Sequence, residues 1–194
     1  MDNIIVTAVS SVTEADLQGA RLGTRFGRMD RASQLAVAAV EALNINFDAY
    51  PREQIGLCLA AAAGSLSTDV EFWRGRDGAG GPSPILFTYT LPNMAIGELA
   101  IRHRITGPNL CLVGGEHILV EAADMLRRGE ALACICILCH AISPALGEII
   151  QTPPATAANA VFLQRGGSGL CDLNENSMDI PSLCALFCAR KSAS

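Results

Sequence analysis

Apolar residues along this chain come in short unbroken runs, and between the runs they recur every three or four positions. Residues 4–9, Ile-Ile-Val-Thr-Ala-Val, predict a buried opening strand that ends where Ser10, Ser11 and Thr13 break the run. A polar loop with Gly19, Gly23 and Gly27 follows. Asp30 then caps a helix carrying Leu35, Val37, Ala38, Ala39, Val40, Ala42 and Leu43. Pro51 ends the connection to a second strand over 55–60. Ser67 or Thr68 starts a short helix through Val70, Phe72 and Trp73, and a Gly/Pro loop covers 75–84. Asn93 caps a helix over 94–104, Gly107-Pro108 turns the chain, and 109–113 forms a third strand. A helix over 116–128 places Ile118, Leu119, Ala122 and Leu126 on one face. Arg127 and Arg128 complement its last turn, and Gly129 stops it. Further apolar strands cover 131–141 and 160–163.

Strands that read as continuous apolar runs, separated by helices, predict an α/β fold with a mostly parallel mixed sheet covered by helices on both faces. The character changes after Gln164. Gly166-Gly167-Ser168-Gly169 reads as a linker, a polar stretch runs to Asp179, and a short apolar segment covers 180–187. The chain therefore divides into a domain over 1–164 and a Gly/Ser linker with a short carboxy-terminal tail over 165–194.

Composition narrows the function classes. With 194 residues, 50% hydrophobic and 17% charged, the chain suits one self-supporting globular core. A net charge of −5 argues against nucleic acid or an anionic membrane as partner. A carrier protein remains compatible, docked on a local basic patch. The opening Met1-Asp2-Asn3 lacks the basic start of an export signal, and no apolar stretch is long enough to span a bilayer. The expected location is cytoplasmic, so the eight cysteines read as reduced thiols.

One stretch carries a resemblance. Residues 83–101, Ser-Pro-Ile-Leu-Phe-Thr-Tyr-Thr-Leu-Pro-Asn-Met-Ala-Ile-Gly-Glu-Leu-Ala-Ile, are followed by Gly107-Pro108-Asn109-Leu110. The order of a Ser-Pro and aromatic loop, a Pro-Asn-Met turn into a helix and a Gly-Pro-Asn turn into a strand resembles the β-ketoacyl synthases. Met29-Asp30-Arg31 with Ser33-Gln34 resembles the start of that family's first helix, and Arg127-Arg128-Gly129 the end of the helix behind its nucleophile. The resemblance runs in order from Ile4 to Gln164. It implies a thiolase-like half-fold, the amino-terminal one of two similar α/β halves. It also implies that Leu86, Phe87, Thr88, Tyr89, Asn93, Met94, Asn109 and Leu110 line a partner interface and an acyl tunnel.

The departures from the family decide the expected role. The family places a cysteine nucleophile where a strand meets a helix amino terminus, which favours the thiolate. Counted forward from Gly107-Pro108, that position is Glu116; counted backward from Arg127-Arg128-Gly129, it is Leu112. The segment is about four residues shorter than the family's, so both positions stay open. Neither is cysteine, and the neighbouring thiol, Cys111, falls inside a strand. The family's two catalytic histidines come from the absent second half, and His103, His117 and His140 match neither. Hence the resemblance implies a non-catalytic subunit of a fatty-acid or polyketide system. It would pair with a complete ketosynthase and shape its acyl tunnel, as a chain-length factor does. The alternatives are an acyltransferase assembled from two copies, using Cys111 or Glu116, and a module that binds an acyl carrier protein.

Other chemistries fit less well. Cys136-Ile137-Leu138-Cys139-His140 spells a haem-attachment pattern but sits in an apolar strand, whereas attachment needs an exposed loop of an exported chain. Zinc on Cys134, Cys136, Cys139, Cys184 and Cys188 is opposed by strand geometry, because residues 136 and 139 point to opposite faces. Glu116-His117 reads as a helix start more simply than as an acid/base pair. The glycines at 78–81 lack a phosphate-binding context. No cofactor or metal is expected.

Overall fold

The computed structural model describes residues 3–191 apart from 21, 79, 116 and 174–178. In chain order the elements are β1 (Ile4–Thr13), α1 (Glu14–Leu17), α2 (Arg31–Ala42), β2 (Ile55–Ala61), α3 (Leu66–Gly75), α4 (Pro84–Phe87), α5 (Met94–His103), β3 (Asn109–Val113), α6 (Ile118–Arg127), β4 (Ala133–Ile142), α7 (Pro144–Ile150), β5 (Ala155–Arg165), β6 (Cys171–Asp172) and α8 (Ile180–Lys191). The opening strand does not stop at Ser10. It continues to Thr13, because the Ser10 hydroxyl donates to the Ala39 carbonyl at 2.7 Å and is thereby buried at no cost in lost hydrogen bonds.

Local signals set the helix starts unevenly. Asp30 caps α2 as its sequence predicts, accepting from the Ser33 amide at 3.0 Å. Ser67 and Thr68 do not cap α3, which begins at Leu66 with Ser65 in the cap position. The Ser67 hydroxyl instead donates to the Ala141 carbonyl at 2.6 Å, and Thr68 donates to Asp30 at 2.6 Å. Asn93 occupies the cap position of α5, yet its side chain makes no capping bond.

The strands form one six-stranded sheet in the order β3-β2-β4-β5-β1-β6. β2 pairs in parallel with β3 and β4, and the other three ladders are antiparallel. Strands β1 to β4 thus run one way, but most ladders are not parallel as the sequence suggests. The reason is α7, which turns the chain at the end of β4 instead of carrying it across the sheet, so β5 returns alongside β4.

Both sheet faces are covered, which is why β2 and residues 133–139 of β4 are apolar. Leu57, Leu59, Ile135 and Ile137 face the side that carries α2 and α5. Cys58, Ala60, Cys134 and Cys136 face the side that carries α6 and α8. Cys139 falls on the first face and Cys136 on the second, as strand alternation requires. The described residues beyond 165 pack on the domain that precedes them. β6 joins the sheet beside β1, and Ile180 and Leu183 of α8 enter the core. Burying each such side chain is worth about 1.5–3 kcal/mol. His103, expected on a solvated face, stacks on Phe47 with ring centroids 4.2 Å apart, and burial lowers its pKa. No helix among the described residues is long and apolar enough to cross a membrane.

Candidate functional site

Gly107-Pro108 delivers the chain to β3 at a point no side chain could occupy. A Cβ on Gly107 would stand 2.3 Å from the Ile55 carbonyl oxygen, and the Leu57 amide donates to the Pro108 carbonyl at 3.0 Å. β3 then runs along the edge of the sheet, paired only with β2 among the described residues. At its end Gly114 and Gly115 take φ values of +106° and +127°. A Cβ on Gly115 would lie 2.8 Å from that of Ala60 and 3.0 Å from Leu138 Cδ1, so the turn into α6 demands glycine.

The sequence-predicted nucleophile region surrounds this turn. Cys111 and Leu112 are half-buried within β3; Cys111 packs toward the α2 side and Leu112 toward the α6 side. Burial pushes the Cys111 thiol up, the reverse of what an activated nucleophile needs. Glu116 lies outside the described residues. His117 holds the cap position of α6 and is exposed. It opens onto a cleft of about 750 Å³ whose walls include Gly115, Leu138, His140 and Ile180. His140 therefore reaches the same cleft as His117, although the sequence places them on different elements.

The residues expected at an interface separate into exposed and buried sets. Phe87, Thr88, Asn93 and Asn109 are exposed; Leu86, Met94 and Leu110 are half-buried. Tyr89 is not on the surface. It is 6% exposed, and its hydroxyl donates to Glu98 Oε1 at 2.9 Å. Glu98, 2% exposed, also accepts from Arg25 Nε at 2.5 Å and Nη2 at 3.0 Å. Burial first, and the Glu98 bond second, push Tyr89 up to about 12. This triad pins the loop before α2 to α5 and fixes the base from which Phe87 projects.

Around Phe87 the surface is unusually apolar. Phe72 contacts it with ring centroids 5.4 Å apart, and Trp73, 64% exposed, carries the Arg76 guanidinium 3.7 Å from its ring centre. Leu91 and Val113 are exposed as well. A Cβ on Gly64 would touch both Val113, at 3.4 Å, and Pro92, at 4.0 Å, so this surface is continuous with the end of the β3 edge. On the other side of Tyr89, a cleft of about 460 Å³ is lined by Thr24, Arg25, Arg28, Ile85 and Thr88. A further cavity of about 360 Å³ lies between α2, α3 and α7, with Arg31 and Glu71 among its lining residues.

No protein-family model matches the sequence, and no curated protein matches it. Solved structures do. A chain of AntDE:AntF, a type II polyketide-synthase acyl-carrier protein in complex with its ketosynthase bound to the hexaketide, superposes with a TM-score of 0.70 at 16% identity, over 85% of this chain and 63% of that one. The ishigamide ketosynthase/chain length factor gives 0.66 at 19% identity, over 84% and 62%. The ketosynthase ApeO in complex with its chain length factor ApeC, from Xenorhabdus doucetiae, gives 0.65 at 15%, over 86% and 80%. The chain has the ketosynthase fold. It spans less than two thirds of the first two chains it matches, and at these identities the likeness is one of fold.

Within the ketosynthase fold, sequence reasoning missed Arg25, Glu98 and the shared cleft of His117 and His140. Glu98 carried a signal: a carboxylate between Ile96 and Leu99, on the apolar side of α5, requires a partner if it is buried. The histidine pair carried none, because its two members are joined only by the fold.

Proposed function

We propose that the chain is a non-catalytic ketosynthase-like subunit of a polyketide or fatty-acid system, working in the cytoplasm. It pairs with a complete β-ketoacyl synthase and shapes that enzyme's acyl tunnel, as a chain-length factor does. One observation carries the reading: the β3–α6 junction offers no activated thiol. Its sequence is Gly114-Gly115-Glu116-His117, and the nearest cysteine, Cys111, sits back in the strand with its pKa raised by burial. The pairing half of the reading draws on the open β3 edge and the apolar surface beside it, since long apolar edges are normally covered.

The test has two arms. The purified chain should form no β-ketoacyl product from acyl and malonyl thioesters; product that survives Cys111→Ala would overturn the non-catalytic reading. Leu110→Asp should split or insolubilise any assembly, whereas a monomer at micromolar concentration that ignores this change would overturn the pairing. A second reading, an acyl-carrier-protein-binding module, draws on Arg28. Its guanidinium is exposed beside Ile85 and Thr88 and suits an acidic partner. Arg28→Glu should then weaken carrier-protein binding while leaving assembly intact.

A further inference from the structure

The sheet face that carries α6 is wider than one helix. α6 lies chiefly over β2 and β4. The remainder of the face, built by Ile4, Val6, Val9, Val161 and Leu163, is covered by α8. Ile180 and Cys184 are 2% exposed and Leu183 is fully buried. The Cys184 thiol reaches the Ser10 carbonyl at 3.2 Å. Residues 170 and 173 are tied to β1 as well, because the Leu170 and Leu173 amides donate to the Val6 and Ile4 carbonyls at 2.7 Å each. Asp179 starts the helix by accepting from the Ser182 amide at 2.7 Å. The outward side of α6 carries the Arg127–Asp124 ion pair at 2.7 Å beside the exposed Val120, and α8 exposes Leu186.

We propose that α8 is a built-in substitute for a second chain on this face. It completes the core from within the same polypeptide and keeps a partner's sheet or helices off the sheet face that it covers. Another chain of this fold then finds an edge at β3, which pairs only with β2 among the described residues. The docking half of this inference rests on the pairing read above; the closure by α8 does not. It also decides against a complete ketosynthase site built by stacking two copies through the α6 layer, because α8 would have to leave first.

Amide hydrogen exchange on the unmodified full chain tests the closure without any partner or substrate. Amides of 183–187 should exchange on the order of a hundredfold or more slower than in a free peptide of the same sequence. The protection should be the same at dilute and concentrated protein. Exchange at free-peptide rates, with β1 and β5 still protected, would overturn the proposal. Protection that disappears on dilution would also overturn it, by assigning α8 to a second copy. Leu183→Asp should release α8 and raise binding of an apolar dye, and Leu183→Ala should do so partially with the fold retained. An unchanged dye signal in both variants counts against the closure. Because these readouts precede any pairing, their failure is distinct from that of Leu110→Asp.

Discussion

Replacing Tyr89 by Phe removes one hydroxyl from the Arg25–Glu98–Tyr89 triad and leaves the ring in place. Glu98 is almost fully buried and receives three hydrogen bonds, two from Arg25 and one, at 2.9 Å, from Tyr89. A hydrogen bond to a charged group contributes about 1.5–3 kcal/mol, so the substitution should destabilise the fold by that amount. For a chain of this size the melting temperature should fall by about 3–12 °C. Arg25→Ala should cost about 2–3 kcal/mol, below the value for a fully buried pair, because its side chain is 59% exposed and water replaces part of the interaction. Glu98→Gln should cost about 1–3 kcal/mol, because its amide cannot accept from every former donor. Urea unfolding followed by circular dichroism gives each value, provided the slope stays constant. A double-mutant cycle between Tyr89→Phe and Glu98→Gln should report a coupling of about 1 kcal/mol or more. If Tyr89→Phe falls within about 0.5 kcal/mol of the parent, or the coupling vanishes, the buried triad is wrong and Tyr89 is free to face a partner.

Three further outcomes follow from the same geometry. Cys111 should react with iodoacetamide more slowly than a free thiol at neutral pH and accelerate only above the ordinary thiol range, since burial raises its pKa; rapid labelling at neutral pH contradicts this. Gly115→Ala should cost about 1–3 kcal/mol from backbone strain alone, with more from the contacts with Ala60 and Leu138, whereas Gly80→Ala, which meets nothing within 4 Å, should be near neutral. For Tyr89 the folded pKa, about 12, lies above the unfolded value near 10, so the native state holds its proton longer. Stability from this group is therefore complete below about pH 10 and is lost as the pH rises toward 12, the value of the folded group; a tyrosinate signal from Tyr89 appearing near pH 10 in folded protein would contradict it.

The alternation of apolar runs with helical periodicity determined the class of this fold, and single residues determined several of its joints. Asp30 is followed by a helix whose third residue, Ser33, donates back to it, and that bond needs nothing distant. Gly129 ends α6 for a reason local to the backbone, its φ of +72°. The resemblance at 83–110 placed β3 and α5, and absence of cysteine at positions 112 and 116 is a property of the sequence alone. The tertiary structure decided which apolar face meets which. The face formed by Ile118, Leu119, Ala122 and Leu126 was legible, but not what it packs against. It lies on this chain's own sheet, with α8 completing the cover. Periodicity reports that a face must be buried but carries no record of what buries it. The same limit applies to Tyr89, whose position in a surface loop gave no sign of Glu98 nine residues on. It applies also to His117 and His140, which share a cleft because α6 starts beside the end of β4. Such pairings depend on how separate elements pack together, which no single segment of sequence records.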